Sequence, residues 1–145
     1  MRAVREWDVV VVGGANMDYL ARGQRLPGPG DTVQGDAFQE APGGKGANQA
    51  VAVARLHARV ALVARVGDDG RGASMIERLT QEGVDARHVT RDPEAPTGVA
   101  VIQVGRRGEK QILTAPGANR RLSARDAERA GAALAPRTRC APQGR

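Results

Sequence analysis

Two short stretches gather side chains able to act together on a ligand: Gly13-Gly14-Ala15-Asn16-Met17-Asp18, and APGGKGANQAVAVARL over residues 41–56. In the second, Gly43, Gly44, Lys45 and Gly46 stand directly before an alanine-rich segment with helical spacing. A nucleotide-phosphate loop needs a hydroxyl after its lysine to reach magnesium, and here Gly46 follows Lys45. A dinucleotide fingerprint needs a third glycine three residues after the second, but Ala47, Asn48 and Gln49 follow Gly46. What remains is a glycine-rich helix N-terminus carrying one cation and one amide. Its backbone N–H groups can hold anions or hydroxyl oxygens, and the glycines let a ligand approach closely. A flexible turn with a solvated Lys45 and Asn48 as N-cap fits the same residues.

The first stretch adds chemistry of the same kind. It follows the apolar run DVVVV (8–12), so Asn16 and Asp18 are expected in a turn at the C-terminal edge of a strand, where open α/β sheets bind ligands. A carboxylate accepts hydrogen bonds from neighbouring hydroxyls, and an amide both donates and accepts. Asn16, Asp18, Lys45 and Asn48 together suit a polyol. Ordinary turn chemistry accounts for Asn16 and Asp18 as well. Asp68 and Asp69 form another acidic pair, in a Gly-Asp-Asp-Gly turn.

The elements around these residues read as an α/β protein. DVVVV is the pattern of a strand buried on both faces of a parallel sheet. Residues 22–32 hold two prolines and three glycines and read as an irregular loop, followed by a strand over 33–40 with a bulge at Gly35. A helix over 48–57, a buried strand over 60–66, and a helix over 71–82 ending at Gly83 follow. A short strand over 84–89 comes next. TGVAVIQV, GRRGE and KQILTAPG then predict a β-hairpin over 97–117, which interrupts the βα alternation and points to a small separate sheet. Ser123 is placed to cap a helix over 124–135, with Asp126 in a capping box. Residues 136–145, PRTRCAPQGR, cannot form the apolar strand that alternation demands next.

Composition narrows the function classes. Residues 1–119 carry 15 basic and 14 acidic side chains, whereas the last 26 carry 7 arginines against Asp126 and Glu128, so the net charge of +6 belongs to the tail. With Trp7, Tyr19 and Phe38 the only aromatics, stacking platforms for bases are scarce, and nucleic acid is not an expected partner. No apolar run approaches a membrane span. Cys140 is the only cysteine, which excludes an intrachain disulfide and fits a reducing, cytoplasmic compartment. His57, His88 and Cys140 have no partners at metal-ligand spacing.

VVVGGANMD (10–18), LPGPGDTVQG (26–35), APGGKGANQAVAVARL (41–56) running on to VGDDGRG (66–72), TGVAVI (97–102) and APGAN (115–119) occur in one order along the chain. In these motifs it resembles the N-terminal half of the ribokinase-like (PfkB) family of sugar kinases, over residues 8–135. The resemblance implies a doubly wound, mostly parallel sheet, here incomplete, with a small β-sheet lid built from 33–42 and 97–117. It implies ATP-dependent phosphorylation of the 5-hydroxyl of D-ribose or a similar pentose, with Mg2+ and K+ as further cofactors and a homodimer formed through the lid. Matched by motif, Asn16 and Asp18 would hold sugar hydroxyls, with Gly43, Gly44, Lys45 and Asn48 closing over the other side. The family's catalytic aspartate lies in a Gly-Ala-Gly-Asp motif absent from this sequence, so no catalytic residue is assigned and the isolated chain is expected to be inactive. The tail over 136–145 departs from the family and is expected to be disordered, the mark of a truncated or frame-shifted reading frame near 135–138.

Overall fold

The computed structural model describes residues 6–134. The tail over 136–145 lies outside the described residues.

A parallel sheet forms the base. Its central strand β4 (Val60–Gly67) pairs with β1 (Val9–Val12) on one side, and on the other with β5 (Val84–Asp85) at its start and β6 (Val89–Asp92) at its end. β4 is the continuous apolar run VALVARV, and Leu62, Val63, Ala64 and Val66 have no exposed surface. Helices α1 (Lys45–Arg55) and α2 (Gly70–Gln81) pack Ala47, Ala50, Met75 and Leu79 against Val60, Leu62, Ala64 and Val66. Burying the Val, Leu and Met side chains contributes about 1.5 to 3 kcal/mol each. On the other face α3 (Ala124–Leu134) meets β4, where Arg65 reaches Asp126. Helices on both faces of a parallel sheet make the doubly wound arrangement that the apolar runs predict.

β1 differs from its expected burial on both faces. Val11 is buried, but Val9 is 37% and Val12 54% exposed, because β1 pairs only with β4 among the described strands. The predicted strand over 84–89 is split into β5 and β6. Asp85 accepts from the Arg87 N–H and from the Trp7 indole, and Val89 N–H bonds back to the Ala86 carbonyl, so the chain turns between the two halves.

The second sheet places β3 (Gly35–Gly43), β2 (Asn16–Gly23), β7 (Gly98–Val104) and β8 (Lys110–Ala115) side by side in that order. The hairpin is β7 (Gly98–Val104) and β8 (Lys110–Ala115), closed by a turn at Gly105–Glu109 in which Gly108 takes a φ of 84°. β3 (Gly35–Gly43) lies antiparallel to β2, with Asp36 bulging between the pairs Arg22↔Ala37 and Gly23↔Gly35, one residue from the position read in the sequence. The central strand β2 (Asn16–Gly23) was expected as a turn running into a loop. It mixes Asn, Asp and Arg with Leu, Tyr and Ala and is half-buried along most of its length, so it shows no apolar periodicity. Its backbone is nevertheless fully committed, antiparallel to β3 and parallel to β7.

Candidate functional site

The site forms where the two sheets meet. Only Gly13, Gly14 and Ala15 separate β1 from β2, so Asn16 and Asp18 lie on the first turnless residues of the lid's central strand and not in a turn. Asn16 pairs with Gly43 of β3 on one side and Gly98 of β7 on the other. Asp18 leans across β3: a Cβ on Gly43 would fall on its carboxylate. Burial pushes the Asp18 carboxyl above its ordinary value, so the site holds an acceptor group that desolvation alone perturbs.

α1 begins three residues earlier than the sequence pattern suggests. Gly44 is its N-cap, with a φ of 94° that only glycine adopts without strain, and Asn48 is inside the helix, its N–H bonded to the Gly44 carbonyl at 2.9 Å. The expectation that Asn48 caps the helix is thereby corrected. The reading of N–H groups open to a ligand at this terminus is narrowed as well. The Gly14 carbonyl accepts from Gly46 at 3.1 Å and from Ala47 at 3.2 Å, satisfying two of the donors left over at a helix start. Contact at this distance requires bare backbone, since a Cβ on Gly46 would sit 2.6 Å from the Gly13 carbonyl carbon. The glycine-rich stretch thus welds α1 to the β1–β2 junction.

Of the residues singled out in the sequence, the structure brings Asn16, Asp18, Gly43 and Gly44 together at this junction. Lys45 opens α1 and is exposed. Asn48 lines a groove of about 420 Å³ between α1 and α2 with Val51, Ala52, Met75 and Leu79, a groove that neither Asn16 nor Asp18 lines. A second groove, of about 510 Å³, lies between the lid and α2, against Met17, Glu40, Pro42, Arg71 and Ser74. By strand alternation Met17 faces away from Asn16 and Asp18.

Asp69 has no role to spare for chemistry. It caps α2 by accepting from Gly72 N–H at 2.8 Å, and also accepts from the Thr97 N–H at 2.9 Å and the Thr97 hydroxyl at 2.6 Å. Desolvation raises its pKa, but the bonds from Thr97 and Gly72 and the charge of Arg71 outweigh it and bring the carboxyl down to about 2. Asp68 is an exposed partner of Arg91. The Asp68-Asp69 turn is structural.

Sequence reasoning passed over Asn119. It lies in a 3-10 turn at Gly117–Arg121, donates to the Asn16 Oδ1 at 2.7 Å and to the Ala15 carbonyl at 3.1 Å, and accepts from the Ala15 N–H at 2.9 Å. The signal was present: APGAN ends in an amide directly after a strand, in a glycine-containing turn. The turn is held in place by charge. Arg121 donates to Asp92 at 2.8 Å, Arg65 donates to Asp92 at 3.0 Å and to Asp126 at 2.7 Å, and both carboxylates are almost completely buried. Asp126 also accepts from the Ser123 N–H and hydroxyl, completing the predicted link at the start of α3.

Among the described residues no cluster of His, Cys, Asp or Glu is arranged to hold a metal ion, and no helix is long and apolar enough to cross a membrane. The model of the pfkB family carbohydrate kinases matches residues 7–140. The chain belongs to the pfkB family of carbohydrate kinases. It is similar to a ribokinase of Haemophilus influenzae, 43% identical over 115 residues, an alignment covering 79% of this chain and 38% of that protein. It is also similar to a deoxyribokinase of Salmonella typhimurium, 37% identical over 123 residues, covering 85% of this chain and 40% of the other. The solved structure of Arabidopsis thaliana ribokinase complexed with ribose and ATP aligns with a TM-score of 0.68 at 38% identity, over 76% of this chain and 36% of that one. The chain therefore spans about two fifths of the length of the curated relatives it matches.

Proposed function

We propose that this chain carries the sugar-binding part of an ATP-dependent pentose kinase that converts D-ribose to D-ribose 5-phosphate. The observation that carries the reading is the Asp18 carboxylate, desolvated beside Gly43 on the same face of β2 as Asn16. A carboxylate in that position has acceptor capacity for hydroxyl protons, and the neighbouring amide completes a surface for a polyol. In this reading Asn16 and Asp18 grip hydroxyls, Gly43 and Gly44 let the ring approach the backbone, and Lys45 and Asn48 close from the start of α1. The lid sheet excludes water from the reacting hydroxyl, which favours transfer to sugar over hydrolysis.

ATP, Mg2+ and K+ enter through the family, and the described residues do not fit a triphosphate. The N–H groups of Gly46 and Ala47 are taken by Gly14, Asp69 is taken by Thr97 and Gly72, and the sequence has no Gly-Ala-Gly-Asp stretch to supply a base. The second reading follows: the 145-residue chain binds sugar, or pairs with a second copy, without turnover. Phe38, Leu113 and Val101 share the lid face opposite Asp18 and are 68%, 74% and 41% exposed, an apolar patch suited to the lid-to-lid homodimer. Sedimentation of the wild type against Leu113→Asp tests it, and a wild type that stays monomeric at high concentration removes the dimer.

Titration of the 15N-labelled chain with D-ribose and with 2-deoxy-D-ribose tests the sugar site and its preference. Amide shifts confined to residues 16–18 and 43–48, abolished by Asp18→Asn, are expected. Shifts that are absent, or that survive Asp18→Asn, defeat the assignment. ATP turnover with ribose by the chain alone would refute the second reading.

A further inference from the structure

We infer that Asn119 is a positioning residue that fixes which end of the Asn16 amide faces the ligand. The argument begins at a backbone group whose polarity cannot change. Ala15 is fully buried, and its N–H points at Asn119 at 2.9 Å, so only the Asn119 oxygen can stand there. That choice turns the Asn119 NH2 toward the Ala15 carbonyl, 3.1 Å away, and toward the Asn16 side chain, 2.7 Å away. An NH2 group needs an acceptor, so Asn16 must present its oxygen to Asn119 and its own NH2 away from it. The orientation of Asn16 is thereby dictated through two steps from one peptide group, independently of any ligand.

The surrounding backbone leaves the pair no freedom to slide. A Cβ on Gly98 would collide with the Asn119 amide nitrogen and lie 2.6 Å from the Asn16 oxygen, and a Cβ on Gly14 would lie 3.1 Å from the Asn119 oxygen. Asn119 itself is fixed from below, its N–H bonded to the Pro116 carbonyl at 3.0 Å.

The consequence for recognition rests on the sugar-binding reading; the orientation does not. Asn16 and Asp18 share one face of β2, so the ligand meets an NH2 donor followed by a carboxylate acceptor. A hydroxyl between them accepts from Asn16 and donates its single proton to Asp18. Reversing the Asn16 amide would set two acceptors against that one proton.

Asn119→Asp makes the reversal without changing shape. The carboxylate still accepts from Ala15, but it cannot donate, and Asn16 must turn its NH2 inward. Side-chain amide exchange with water, measured by NMR on the ligand-free 145-residue chain, reads this directly. In the wild type the Asn119 NH2 protons are expected to be protected and those of Asn16 to exchange freely. In Asn119→Asp the Asn16 protons should slow by about tenfold or more, as donors to a charged acceptor do. Protected Asn16 protons in the wild type, or Asn16 exchange unchanged by Asn119→Asp, would overturn the inference. Should the variant fail to fold, the wild-type contrast between the two amides decides alone. D-Ribose titration is the separate arm: weakening by about tenfold in folded Asn119→Asp is expected from the lost hydrogen bond. If the wild type binds no ribose while the exchange pattern holds, the sugar reading falls and the orientation stands.

Discussion

Replacing Asp69 by Asn should cost stability at neutral pH and cost nothing in strong acid. Its carboxylate takes three hydrogen bonds, two from Thr97 and one from Gly72, and its side chain is 26% exposed. An amide at this place has one oxygen for those donors and turns an NH2 toward the rest. The folded carboxyl titrates at about 2 against an ordinary 3.8, and at about 1.4 kcal/mol per tenfold in proton affinity this gap is worth roughly 2 kcal/mol. Because the folded value is the lower one, the stabilisation is complete well above pH 3.8 and is lost as the pH falls through about 2. Roughly half of it should remain at pH 3. Urea unfolding of wild type and Asp69→Asn at pH 7, 5, 4 and 3, followed by the fluorescence of Trp7, gives the difference directly. Equal midpoints at pH 7 would refute the capping argument, and a difference that does not shrink between pH 5 and pH 3 would refute its electrostatic origin.

Arg65→Met should destabilise the fold by about 3 to 5 kcal/mol, since it strands the buried Asp126 carboxylate without its cation; thermal unfolding at pH 7 measures it. Gly46→Ala should lower the melting temperature far more than Gly70→Ala, because a Cβ at 46 meets the Gly13 backbone at 2.6 Å whereas at 70 it meets open space. A similar loss for both would count against the weld between α1 and the β1–β2 junction. Asp18→Asn should leave unfolding midpoints almost unchanged while removing sugar-induced shifts, since its charge is desolvated and gains no compensating partner.

The base of the molecule was readable because burial leaves a continuous mark: VALVARV could only be an interior strand, whereas the cap that Asp69 gives α2 went unread inside its Gly-Asp-Asp-Gly turn. The hairpin over 97–117 was readable because Gly-Arg-Arg-Gly-Glu separates two apolar runs. β2 was not, since a strand half-buried on both faces has no apolar alternation to display and its stability comes from pairing with distant β3 and β7. The candidate site divides on the same principle. Residue types singled out Asn16 and Asp18 as candidates, because their polar groups are legible locally. Asn119 acts across 103 positions of sequence, and the occupation of the helix N–H groups by Gly14 depends on a close approach that no local spacing reports.

The short passage from β1 to β2 sets how the lid can move. Gly13 N–H is bonded to the Val63 carbonyl, the Gly14 carbonyl to α1, and both polar groups of Ala15 to Asn119. A segment so fully bonded is a clamped root and makes a poor hinge. Displacement of the lid must then come from bending along the strands, as in a cantilever. The eight residues of β2, at about 3.3 Å each, place the tip roughly 26 Å from that root, so a bend of about 10° spread along the strand carries it about 2 Å. Over the same bend Asn16, at the root, hardly moves: the far end of the second sheet can shift while the groups beside Gly43 keep their geometry.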